Sequence, residues 1–171
     1  MATALFITTE DIKRYSVLSG SIDPDKIVFY IELCMDTQIQ NYTGTKLMVK
    51  VQDLILAGTI DLPANAAYKT LLETYLKPMT IHWALVQLMS FIPYTVSNGG
   101  VFKHTSESSV TVDKDEIDFL VEKYRDLAQF YTNNFTNFMI YNQTTYPEYN
   151  ANTEDDFYPD TSNADFSGWV L

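Results

Sequence analysis

The residues able to do chemistry are few and far apart along the chain. His82, His104 and Cys34 are its only histidines and its only cysteine, and their separations match no metal-ligand spacing. His82 lies within an apolar run and reads as a packed core or interface histidine, while His104 reads as a loop residue. Cys34 falls on a helical apolar stripe and reads as a small core side chain, since free cysteine is among the most buried residue types. Asp113, Asp115, Glu116 and Asp118 crowd a helix start, where carboxylates complement the positive end of the helix dipole. They lack the spacing and the glycine of a calcium loop. Glu154-Asp155-Asp156 with Asp160 reads as a solvated charge run. No phosphate-binding glycine loop, nucleophile elbow or dinucleotide fingerprint occurs, and Asn98-Gly99-Gly100 is a turn. No catalytic residue, cofactor site or metal site is assigned, and the chain does not read as an enzyme. Aromatic residues make up 14% of the sequence and are the stronger signal, because rigid rings suit interfaces.

The elements that must position these residues begin with two amphipathic helices spanning residues 23–58. Asp23-Pro24 is a start signal: a capping side chain, then proline where a missing N–H costs nothing. Ile27, Ile31, Cys34, Met35, Gln38, Ile39 and Tyr42 share one helical face. A tight turn, Asn41-Tyr42-Thr43-Gly44-Thr45, follows, with Gly44 placed for a left-handed conformation and Thr45 for the next cap. Leu47, Val51, Leu54 and Ile55 point inward from the second helix, which stops at Gly58. Before this pair, Leu5-Phe6-Ile7 precedes a brief helix capped by Thr8 or Thr9, and Val17–Ile22 reads as a loop.

Asn65 is expected to cap a helix running to about Leu76, with Tyr68, Leu71, Leu72 and Tyr75 on its face. Pro78 predicts a break or kink, followed by a helix over Met79–Ile92 that is apolar on nearly all sides and therefore central. The segment 97–112 loosely alternates at Val101–Thr105 and Ser108–Val112, which predicts a short β-hairpin insert. A long helix then opens at Asp113–Glu116, and its stripe Ile117, Leu120, Val121, Tyr124, Ala128, Tyr131, Phe135 and Phe138 runs to about Tyr141. Residues 143–171 hold six of the 22 acidic residues, no Lys or Arg, six aromatics and two prolines, with no helical period. That composition predicts an extended arm which orders only on a partner.

The turn segment Asp36-Thr37-Gln38-Ile39-Gln40-Asn41-Tyr42-Thr43-Gly44-Thr45-Lys46-Leu47 resembles the helix–Gly-Thr–helix segment of head-to-tail connector proteins of crAss-like tailed bacteriophages. The resemblance covers roughly residues 5–142, with Thr43 where relatives often place an apolar residue and Met48 where an aromatic one is common. It implies a structural virion protein at the neck, forming a homo-oligomeric ring between the portal and the adjacent tail proteins through which the genome passes. The alternatives are a tail-completion neck protein, or a small cytoplasmic helical enzyme or regulatory domain.

The expected architecture is thus mainly α: a bundle of four to five helices over residues 1–142, with a hairpin insert at 97–112 and an acidic, aromatic C-terminal arm over 143–171. Phe102 and His104 in the insert, and Phe157, Tyr158 and Trp169 in the arm, are the candidate partner-binding residues. The formal charge of −11 argues against a dedicated nucleic-acid surface, which needs clustered Lys and Arg, and is compatible with a wall that repels DNA. Met1–Thr9 lacks the pattern of a signal peptide and no run is long enough to span a bilayer, which places the chain in a cytoplasm or a particle assembled there.

Overall fold

The computed structural model describes residues 3–16, 22–91, 94–97, 100–103 and 114–162. It is mainly helical. The first helix, α1 (Thr9–Arg14), starts on a reciprocal cap: the Thr8 hydroxyl accepts from Asp11 N, and Thr8 N donates to the Asp11 carboxylate. Asp23 caps α2 (Pro24–Cys34) by accepting from Asp25 N at 3.1 Å, with Pro24 at the first position. Ile27, Ile31, Cys34, Met35 and Ile39 are all at most 1% exposed. The stripe survives a wide, π-type turn at Met35–Ile39 because one extra residue per turn shifts the face without breaking the rod.

The helical path continues into α3 (Gln40–Leu56), which is bent at Gly44 alone, with φ 72° and ψ 162°. The expected five-residue turn has therefore contracted to one glycine between two helical rods. Past α3, the chain leaves helical geometry through Gly58 at φ 64°, and Thr59 N returns to Leu54 O at 3.0 Å.

Pro78 does not break the chain. The path runs from α4 (Ala66–Leu71) through a second π-type turn at Leu72–Leu76 into α5 (Lys77–Phe91). The wider turn rearranges the carbonyls ahead of a residue that has no N–H to donate, so of the expected break or kink the bundle keeps an irregular turn within a continuous helical path. Asn65 sits at the start of α4, but its side chain donates to Thr59 O instead of capping.

Helix α5 is central: it packs along α6 (Lys114–Asn142) on one side and against α2 on another. Met79, Trp83, Leu85, Val86, Leu88 and Met89 are buried. Trp83 Nε1 donates to the Thr132 hydroxyl at 3.0 Å, and that hydroxyl donates to Ala128 O at 2.8 Å. The polar end of the ring is thereby satisfied inside the core. Cys34 Sγ lies 3.6 Å from Thr80 O, and burial pushes its thiol pKa up, as a core cysteine requires.

The strands β1 (Tyr94–Ser97) and β2 (Gly100–Lys103) pair antiparallel, Thr95 opposite Phe102. This corrects the expected pairing. Asn98-Gly99 separates the two strands, so Val101–Lys103 pairs with the preceding segment, and Ser108–Val112 lies outside the described residues.

The arm is the larger correction. From Gln143 to Asp160 the chain folds back on its own body instead of extending. Tyr146 and Tyr149 are 2% exposed. Tyr146 O–H donates to Ala67 O at 3.0 Å, and its ring meets Tyr68 edge-on at 5.5 Å. Tyr68 O–H donates to Glu148 Oε2 at 2.7 Å. Aperiodic composition hid these contacts, because two short 3-10 turns (Gln143–Thr145 and Pro147–Asn150) bring the aromatics inward at irregular intervals.

Candidate functional site

Two places on this framework gather polar and aromatic groups with unusual geometry. The first is the bend at Gly44. A helix start leaves several N–H groups without partners, and at the second rod of α3 those partners come from far along the chain. Thr45 N donates to Phe157 O at 3.1 Å, and Lys46 N donates to Asn152 Oδ1 at 3.1 Å. The Thr45 hydroxyl, expected as the cap, instead accepts from Phe157 N at 2.9 Å and from Gln40 Nε2 at 3.0 Å. Asp160 N donates to Asn41 O at 2.7 Å. Asn152 is buried, and its Nδ2 donates to Tyr149 O.

The segment 143–160, a strap across the bend, is braced by Asp156, whose carboxylate accepts from Thr153 N and the Thr153 hydroxyl at 2.8 Å and faces Lys46 Nζ at 3.3 Å. Those hydrogen bonds, with the lysine adding to them, hold its pKa below the usual carboxylate value. Phe157 and Tyr158 stand outward from this clamped backbone, 56% and 63% exposed.

The second place is a cleft of about 480 Å³ where the end of α1 meets the start of α5 and the middle of α6. His82 forms part of its wall. The imidazole lies flat on Tyr131, with centroids 5.0 Å apart and planes 6° apart, and it also stacks near Tyr124 at 6.4 Å. Its Nδ1 is buried without a hydrogen-bond partner among the described residues, and desolvation lowers its pKa. Asp11, Arg14 and Tyr15 line the cleft from α1 and the residue after it, together with Lys77, which pairs with Glu73 at 2.8 Å. Arg14 makes no ion pair among the described residues.

The expected partner-binding residues are thus only partly in view. Phe157 and Tyr158 are exposed side by side. Phe102 lies on β2, where only the backbone is described, and His104 and Trp169 fall outside the described residues. Sequence reading missed Arg14, Tyr15 and Asn152, since none belongs to a motif. The Thr8–Asp11 cap does place Arg14 in the last turn of α1, which is the one local signal available. Asp115, Asp118 and Glu122 line a separate open hollow with Arg125, and among the described residues no group of three potential ligands could hold a metal ion. No described helix is long and apolar enough to cross a membrane.

The fold and these two places define a mainly helical protein whose clearest polar geometry is a long-range clamp on a bent helix. The chain belongs to a family of unknown function (DUF6712), whose model matches residues 39–157. The matched stretch begins just before the Gly44 bend and ends on the residue that pairs with Thr45. No curated protein and no solved structure matches the chain.

Proposed function

We propose that this chain is a structural virion protein, a subunit of a ring that joins the portal to the tail and leaves a channel for the genome. The observation that carries an assembling role is the outer face of α6. Phe119, Phe130 and Tyr141 recur every eleven residues, three helical turns, and so share one side of the rod. They are 62%, 56% and 86% exposed, with Ile140 beside them at 52%. Large apolar side chains aligned along one face mark interaction surfaces far more often than scattered ones do. The connector identity is supported by the resemblance of residues 36–47, and the bend at Gly44 falls within that segment.

On this reading Phe102 and His104, in the 97–112 segment, contact a neighbouring subunit or the portal. Trp169 serves as a further anchor on a neck protein. The net charge of −11 suits a conduit that DNA passes without binding. The ring is assembled in the host cytoplasm and resides at the head–tail neck.

Quantitative mass spectrometry of purified virions, combined with a cryo-microscopy map of the neck, tests the proposal. The expected result is a ring-like copy number and density for the bundle between portal and tail. Absence of the chain from virions overturns it.

A further inference from the structure

We propose that the strap and the Gly44 bend form a two-state device: the strap holds α3 bent, and its release lets residues 24–56 close into one continuous helix. The geometry that points to this is an exchange of hydrogen-bond partners. In an unbroken helix the N–H of Thr45 bonds to the carbonyl four residues back, at Asn41. Here the strap takes both members of that pair. Thr45 N donates to Phe157 O at 3.1 Å, and Asn41 O accepts from Asp160 N at 2.7 Å. Lys46 N, whose helical partner would be Tyr42 O, donates to Asn152 Oδ1 at 3.1 Å. When the strap leaves, each of these three groups has a partner waiting along α3, so none need stay unpaired in either state.

The hinge and the latch are both built for such a change. Gly44 is the residue inside α3 with non-helical angles, and glycine passes between that region and the helical one without a Cβ penalty. The path on either side of it, from Pro24 to Leu56, is already helical. From 151 to 160 only Asn152 is buried, so hydrogen bonds and the Lys46–Asp156 pair hold this half of the strap, with little apolar area. Tyr146 and Tyr149, each 2% exposed, anchor the other half to the body. Segments with few buried apolar contacts open at a lower free energy than the whole domain. By backbone proximity α3 meets chiefly the π-type turn before it and the strap's Pro147–Asn150 turn, so the second rod is free to follow the strap.

One term opposes the swing. Straightening withdraws Leu47, Val51 and Leu54 from their cover, which makes the strapped form the resting state. Release of the strap and presentation of that apolar face are therefore one event.

Two measurements on the full chain test the device. In wild type, native-state hydrogen exchange should show the amides of Phe157, Asp160 and residues 47–54 opening together, at least about tenfold more often than those of α5. Asn152→Ala with Asp156→Asn should speed both groups by the same factor and leave α5 unchanged. Spin labels at the exposed positions Lys26→Cys and Asp53→Cys report the angle, since a continuous rod sets them about 40 Å apart and a bend brings them closer. Gly44→Ala, strained in the bend but the strongest helix former in a rod, should shift the distance distribution toward that longer value.

Residues 47–54 that keep the protection of α5 while Phe157 and Asp160 exchange overturn the coupling. Exchange of Phe157 and Asp160 only through global unfolding makes the strap a fixed part of the core and overturns it too. So does a label distance that Gly44→Ala leaves unchanged in a folded chain. The copy number of the chain in virions decides the ring reading separately from all of these results.

Discussion

Replacing Gly44 with alanine is the sharpest perturbation this structure offers. At φ 72° and ψ 162° the backbone occupies a region that side-chain-bearing residues rarely adopt. Holding alanine there costs about 1–3 kcal/mol. A Cβ at this position also sits 2.8 Å from Asn152 Nδ2 and 2.9 Å from Pro159 Cγ, closer than real contacts allow. Overpacking of that kind adds about 1–3 kcal/mol. The combined loss, about 2–6 kcal/mol, is a large share of the 5–15 kcal/mol that typically holds a domain together. With a urea slope of about 2 kcal/mol/M, the unfolding midpoint should fall by about 1–3 M. Circular dichroism at increasing urea measures it directly. The two sources separate in a double variant: adding Asn152→Ala removes one clash, so Gly44→Ala with Asn152→Ala should be less destabilised than the sum of the single changes. A Gly44→Ala midpoint matching wild type, or strict additivity with Asn152→Ala, refutes the account of the bend.

Trp83→Ala should lose about 3–5 kcal/mol, the usual cost of emptying a large buried site, and an unchanged denaturation midpoint would contradict its place between α5 and α6. Truncation after Asn142 should expose the faces that Tyr146 and Tyr149 cover and remove the caps on Thr45 and Lys46; retention of wild-type helicity and stability would show the strap to be dispensable. Because the Asp156 pKa is lowered on folding, its contribution is present above the ordinary carboxylate pKa and disappears as pH falls through the lowered value. Asp156→Asn should flatten that acid limb in urea titrations at several pH values, and an identical limb would remove Asp156 from it. His82, whose pKa burial also lowers, should cost stability as pH drops below about 6.5, the ordinary histidine value, toward its folded value. His82→Gln should lose that slope.

Local rules made much of the bundle legible. Asp23-Pro24 and a cap at Thr8 or Thr9 are short-range signals, and Asp23 and Thr8 act as caps in the structure; Gly44 takes a positive φ as expected, but with ψ 162° it bends α3 instead of ending a helix. The stripes of α2 and α6 were likewise readable, because burial follows the helical period, and the nearly all-round apolar α5 was readable as the central helix. What the sequence could not show depends on distant partners. Thr45 has every local feature of a cap, yet its hydroxyl is taken by Phe157 N, 112 residues away. Pro78 breaks most helices, but here a wide turn absorbs the missing donor. Tyr146, Tyr149 and Asn152 are buried through short 3-10 turns and irregular backbone, so no α-helical stripe announces them. Of the candidate site, the exposed Phe157–Tyr158 pair was legible as aromatic residues without a core. The cleft was not, since its members come from three separate helices.

The clamp on α3 also bears on the order in which the chain acquires its structure. Thr45 and Lys46 leave the ribosome more than a hundred residues before Asn152 and Phe157, the groups that complete their hydrogen bonding. During that interval the second rod of α3 has an uncapped start, and the bend at Gly44 is held by local forces alone. Closing so long a loop carries an entropic cost that is recovered only when Tyr146 and Tyr149 pack. The nascent chain can therefore form its α2 and α5 contacts early, but the junction between the two rods locks last. Refolding followed at the Gly44 bend should lag behind refolding followed at Trp83, and the Phe157–Tyr158 loop becomes rigid only at that final step.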